Sequence, residues 1–174
     1  MQVHVDGGLS NVFLSALMEC FGNRRIFKGS IAIDELPCNL VHTPYSFIVN
    51  LDPRKSPGLH YVAVFQENEK QLPCYFDSLG QWNISIPDPI KHFFHHQSSG
   101  YYYYNTFRYQ SLTSLFCGYY ALAFCLWMEK KGTYQEFLNQ LAPVPVYENS
   151  LEETQICEKN DNDIIGILKK LFVS

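Results

Sequence analysis

The sequence predicts a single α+β domain: a central, mostly antiparallel sheet flanked by helices, with a cysteine at the N-terminus of a buried central helix. Three observations lead there. The strand-like runs "YSFIVNL", "HYVAVFQ" and "CYFDS" are separated only by the polar turn stretches "DPRKSPG" and "ENEKQLP", which an antiparallel meander connects most simply. From about Leu115 to Lys131 the chain is apolar on almost every helical face, the pattern of a helix buried all round. Amphipathic helical patterns stand at both ends of the chain. With 174 residues, 47% hydrophobic and 17% charged, the composition is globular and the length suits one compact core.

The elements follow in order. Ser10 precedes Val12, Phe13, Leu14, Leu17, Met18 and Phe21 at helical spacing, so Ser10 is the expected N-cap and Gly22 the stop. A loop-rich segment through "IAIDELP" leads into the three strands. "IPDPIKHFFHH" reads as a short helix opened by Asp88, with Pro89 at its first position. "YYYYNTFRY" favours extended structure and feeds the central helix, which Gly132 ends. "TYQEFLNQL" and "NDIIGILKKLFV" predict two further amphipathic helices, and the polar stretch 148–163 between them reads as a mobile linker. No repeat or second domain is visible, so residues 1–174 are taken as one domain.

The net charge of −4 and the lack of any Lys/Arg run argue against a nucleic-acid or membrane surface. Six cysteines show no CxxC spacing, and with no secretory leader in view, reduced thiols in an intracellular protein are expected. The longest apolar run, Leu115 to Met128, is too short to span a bilayer.

A nucleophilic cysteine needs a thiolate, a base within hydrogen-bond reach and donors for the oxyanion. Cys117 opens the central helix, where the helix dipole favours a thiolate, and Gly118 behind it would let substrate approach the backbone. Taken alone, Cys117 reads more simply as a small core hydrophobe. His60 begins one strand and Asp77 ends the next, so a meander brings both to one rim as base and orienting carboxylate. Polar residues are common at strand ends, yet the matched pair is more specific than either member. Gln110, seven residues before Cys117, can fold its amide towards the thiol beside the Cys117 N–H. By itself it is an ordinary loop glutamine.

The order His60, Asp77, Gln110, Cys117, carried by "GLHYVAVF", "CYFDSLG" and "QSLTSLFCGYYALAF", resembles the adenain family of viral cysteine proteases. That family includes the adenovirus maturation protease and relatives in virophages and Maverick/Polinton elements, and shares a clan with the Ulp1/SENP proteases. The resemblance spans roughly Leu9 to Gly132 and includes "IFKGSIAIDELP". It implies Cys117 as nucleophile, His60 as base and acid, Asp77 as its orienter, and Gln110 with the Cys117 N–H as oxyanion hole. It further implies a narrow cleft, bordered by Tyr61 and Gly118, that admits small residues such as glycine pairs. Tyr61 departs from the usual Trp after the histidine.

The implied substrates are viral or element-encoded capsid precursors, cut in the infected cell (nucleus or cytoplasm) and the virion by a monomer without a cofactor. A SUMO- or ubiquitin-like-protein protease is the alternative within the clan, and an inactive adaptor the non-enzymatic one. No cysteine lies between Cys74 and Cys117 to bind an activating peptide by disulfide, which leaves a non-covalent peptide open. The negative charge argues against DNA activation.

Other candidates are weaker. His92, His95 and His96 lack a third metal ligand at useful spacing, so no metal site is expected. Tyr101 to Tyr104 read as alternating strand faces rather than a base-stacking platform. "VDGGL", Val5 to Leu9, carries a glycine pair, and self-processing after Gly8 is set against a merely loose N-terminal arm.

Overall fold

The computed structural model describes residues 8–56, 60–80, 86–130, 132–147 and 149–173. Ser10 caps the first helix, α1 (Asn11–Phe21), its hydroxyl accepting the Phe13 N–H at 3.3 Å, and Gly22 closes it. After β1 (Phe27–Ala32) and a turn of 3₁₀ helix at Ile33–Glu35 come β2 (Tyr45–Asn50), β3 (Tyr61–Gln66) and β4 (Cys74–Phe76). These three form the antiparallel meander that the turn stretches predict, with Val49 opposite Val62 and Ala63 opposite Phe76. A helix, α2 (Asp88–Ser98), then leads to β5 (Tyr103–Tyr104). Because β1 joins β2 and β5 joins β4 in parallel, the sheet, ordered β1-β2-β3-β4-β5, is mixed around an antiparallel centre.

The remaining elements are β6 (Phe107–Arg108), α3 (Cys117–Glu129), α4 (Tyr134–Leu138), β7 (Val144–Pro145) and α5 (Leu151–Val173). β6 and β7 pair as a small separate ribbon. Both faces of the main sheet are covered, so every residue of β2 and β3 is buried. The two-residue period of the strands sends Ile48, Tyr61, Ala63, Phe65 and Phe76 to the side of α1, α3 and α5. It sends Tyr45, Phe47, Val62, Val64 and Tyr75 to the other side, where α2 contributes Ile90, Phe93 and Phe94. Eleven residues of α3 are buried, so this helix is the pedestal of the fold.

Three boundaries differ from the sequence expectation. Pro87 is the cap residue of α2 and Asp88 its first residue, which sets the Asp88 carboxylate in the first turn, where the helix dipole favours it. The central helix begins at Cys117 rather than near Leu115, because Ser111 and Ser114 draw the preceding segment into a turn (Ser114 N–H to Ser111 O, 3.2 Å). Where the sequence suggests a linker over 148–163, the chain from Leu151 onward belongs to the 23-residue α5, whose inner face carries Cys157, Asn160, Asp161 and Ile164.

Candidate active site

The meander decides where the base and its carboxylate stand. His60 directly precedes β3 and Asp77 directly follows β4, so antiparallel pairing carries both to one rim. There the His60 Nε2–H donates to Asp77 Oδ1 at 2.7 Å, with side chains only 17% and 11% exposed. The same oxygen accepts the Leu79 N–H at 2.9 Å. Asn105, buried behind the pair, grips the Asp77 backbone from both sides: its Oδ1 accepts the Asp77 N–H at 2.9 Å and its Nδ2 donates to the Asp77 carbonyl at 2.6 Å. Gly80 completes the turn at φ +68°, its N–H donating to the Asp77 carbonyl.

Cys117 is the first residue of α3 and is buried. The Cys117 thiol stands close enough to the His60 ring to act on it electrostatically, as Asp77 does. Since Nε2 faces Asp77, Nδ1 is the nitrogen left for Cys117. Burial pulls the His60 pKa down, but the Asp77 charge and hydrogen bond, with a smaller contribution from Cys117, outweigh it and lift the imidazole from 6.5 to about 10. At neutral pH His60 is therefore a cation with an N–H on both ring nitrogens, the partner a thiolate requires.

Gln110 sits buried in the segment that leads into α3. Its carbonyl oxygen accepts from the Ser78 hydroxyl at 2.7 Å, and its Nε2 donates to the Ser114 carbonyl at 2.9 Å. The Ser78 carbonyl also accepts the backbone N–H groups of Tyr109 and Gln110. Asp77 and Gln110 are thus tied through one residue, Ser78. One Nε2 hydrogen is engaged by Ser114; the other has no partner among the described residues, and the Cys117 N–H, at the start of the helix, has no intrahelical acceptor.

A cleft of about 480 Å³ opens on Cys117, with Tyr61, Asn50, Leu115 and the segment from Gly8 to Val12 among its walls. Tyr61 is on the wall where the sequence reading puts it, beside Asn11. At Gly118 a Cβ would lie 3.2 Å from the Leu9 Cβ and 3.6 Å from Leu14 Cδ1. The small residue makes room for Leu9 and Leu14 at the start of α1. Of "VDGGL", residues 5–7 lie outside the described residues, while Gly8 packs on Leu115 and Leu9 on Gly118.

Elsewhere, His92, His95 and His96 are exposed on α2, and no cluster of three metal-binding side chains occurs among the described residues. Tyr101, Tyr103 and Tyr104 are exposed, whereas Tyr102 stacks on Phe94 at 4.5 Å. All six cysteines are free thiols. No described helix is long and apolar enough to cross a membrane. Ser78 and Asn105 are the site residues that sequence reading missed. Ser78 stands in the quoted "CYFDSLG", but its bond to a glutamine 32 positions away leaves no sequence signal.

No protein-family model and no curated protein matches the chain. Among solved structures, the ASFV pS273R protease aligns with a TM-score of 0.54 at 15% identity, covering 89% of this chain and 67% of that one. The fold is similar to that of pS273R. The SUMO protease Ulp1, solved with its catalytic cysteine oxidised to a sulfinic acid, aligns at 13% identity with a TM-score of 0.35, over 74% of this chain and 53% of that one. The chain thus spans about two thirds of the pS273R chain and about half of the Ulp1 chain. The pS273R likeness concerns the backbone path. The roles of individual residues rest on the contacts described above.

Proposed function

We propose that this chain is a cysteine endopeptidase. The observation that carries the reading is the relay Asp77–His60–Cys117, with the thiol at a helix start in an open cleft. Cys117 Sγ attacks the scissile carbonyl carbon as a thiolate. The developing oxyanion takes hydrogen bonds from the Cys117 N–H and from the second hydrogen of Gln110 Nε2. His60 Nδ1 then passes its proton to the leaving amine as the C–N bond breaks, leaving an acyl thioester. The neutral imidazole next takes a proton from water, whose oxygen attacks the thioester, and the thiolate–imidazolium pair is restored. Asp77 holds the ring and balances its charge throughout.

The substrate class we infer is the adenain type: viral or element-encoded precursor proteins, capsid proteins included, cut at small, glycine-rich sites. The residue motifs and the similarity to a viral protease fold support this reading. The chain's own Gly8–Leu9 bond borders the same cleft, and we include it among the candidate substrates. A peptide-library cleavage profile with Cys117→Ala as control tests the activity: wild type cuts after small residues and the variant cuts nothing. Presenting glycine-pair precursors beside ubiquitin-like fusions separates the adenain reading from a ubiquitin-like-protein protease. Cleavage of neither, with no Cys117-dependent product in the library, returns the chain to a non-enzymatic adaptor.

A further inference from the structure

The segment from Tyr109 to Phe116 carries Gln110 and delivers Cys117, yet its own backbone belongs to no helix or strand. A loop that must place an oxyanion donor needs anchors, and several come from α5. Asn160 donates from Nδ2 to the Tyr109 carbonyl at 3.0 Å and to the Ala142 carbonyl at 2.7 Å, while its Oδ1 accepts the Ala142 N–H. The neighbouring Asp161, 6% exposed, accepts the Tyr120 hydroxyl at 2.9 Å, and the Ser114 side chain and Ser111 backbone N–H lie close enough to favour its charged form. Ser114 is the residue whose carbonyl receives the Gln110 amide. A chain of contacts therefore runs from Asp161 through Ser114 to Gln110.

We infer that Asp161 is a positioning residue: a buried carboxylate on the C-terminal helix that holds the Ser111–Ser114 turn, and through it Gln110, in oxyanion-binding geometry. This rests on the protease reading. The Tyr120 hydroxyl donates to Asp161, and the Ser114 side chain and Ser111 N–H face it as further polar neighbours; a carboxylate can serve all three, whereas an asparagine offers one oxygen and turns its NH₂ towards donors. The arrangement works against stability. Burial raises the Asp161 carboxyl, and despite the opposing influence of Ser114, Tyr120 and Ser111 it reaches about 6. A carboxyl raised in this way lends stability only while protonated, and that contribution is lost as pH rises through about 6. At neutral pH the fold thus carries a charge that burial disfavours. The other titratable groups around it are Tyr120 on α3 and Cys157 and Glu158 on α5, with Arg108 of β6 acting on Cys157.

The test compares full-chain wild type, Asp161→Asn and Ser114→Ala, the last leaving α5 untouched should Asp161→Asn fail to fold. The melting temperature of Asp161→Asn relative to wild type is expected to rise between about pH 4 and pH 6 and to change little above that. Its kcat should fall about 10- to 100-fold with KM within about twofold. Alkylation of Cys117 by iodoacetamide, which needs no oxyanion hole, should stay at the wild-type rate, and amide exchange across 111–116 should quicken in both variants. Unchanged exchange, or a kcat loss that merely follows the loss of folded protein, overturns the inference. If wild type cleaves nothing, the protease reading falls, and exchange still decides whether Asp161 holds the turn.

Discussion

Asparagine at position 77 would remove the charge beside His60 while keeping an oxygen for the Leu79 N–H. The carboxylate stands 2.7 Å from Nε2. Two unit charges at that distance, at an effective dielectric of about 20, attract by about 6 kcal/mol before desolvation. At about 1.4 kcal/mol per pKa unit this is about four units; part of it offsets the downward pull of burial, and together with Cys117 it leaves the imidazole at about 10. Without Asp77 the downward pull of burial is opposed by Cys117 alone, so His60 returns towards or below its ordinary value. The sign follows. A raised histidine lends stability that is complete below pH 6.5 and lost as pH passes about 10. Wild type should therefore lose stability between about pH 6.5 and pH 10, and Asp77→Asn should show no such loss. Nitrogen NMR of the imidazole over that range reads the titration directly, and kcat/KM at pH 7 should drop about 10²- to 10⁴-fold. A His60 titration that stays near 10 in Asp77→Asn would refute the assignment of Asp77 as its principal partner.

Other positions give sharper structural tests. Gly80→Ala places a Cβ 2.8 Å from the Phe107 carbonyl oxygen in a backbone held at φ +68°; thermal melts should show a loss of about 1–3 kcal/mol. Asn105→Ala removes both grips on the Asp77 backbone and the bond to the Phe107 carbonyl. It should cost about 2–3 kcal/mol in denaturant titrations and lower kcat beyond the loss of folded protein. For self-processing, intact mass of wild type beside Cys117→Ala should show a chain starting at Leu9 in wild type alone. Identical N-termini remove that idea.

Much of the site could be read from the sequence because its logic is local to strand ends. Polar turns between three short apolar runs imply a meander, and a meander puts the start of one strand beside the end of the next. His60 and Asp77 follow from that geometry, as does Cys117 from the polar-to-apolar change ahead of α3. What stayed hidden lies in contacts between distant segments. Asn105 and Ser78 are short polar residues whose partners lie 28 and 32 positions away. The first half of α5 was hidden for a related reason. Its inward positions, Cys157, Asn160, Asp161, Ile164, Ile167, Leu168 and Leu171, keep strict helical spacing, but two are polar, so the apolar periodicity breaks where the helix meets the Gln110 segment. The packing of Leu9 on Gly118 was hidden for the same reason, since the two lie far apart in the sequence.

The central claim is that Cys117 is an activated nucleophile, and competitive alkylation tests it most directly. Cys20 and Cys38 are exposed, while Cys117 is 7% exposed, so accessibility alone ranks Cys117 below them. At pH 6, where ordinary thiols are almost wholly protonated, limiting iodoacetamide followed by peptide mapping should find Cys117 modified first, and His60→Ala should abolish that preference. Cys117 reacting no faster than Cys20 and Cys38, with His60→Ala making no difference, would contradict the account.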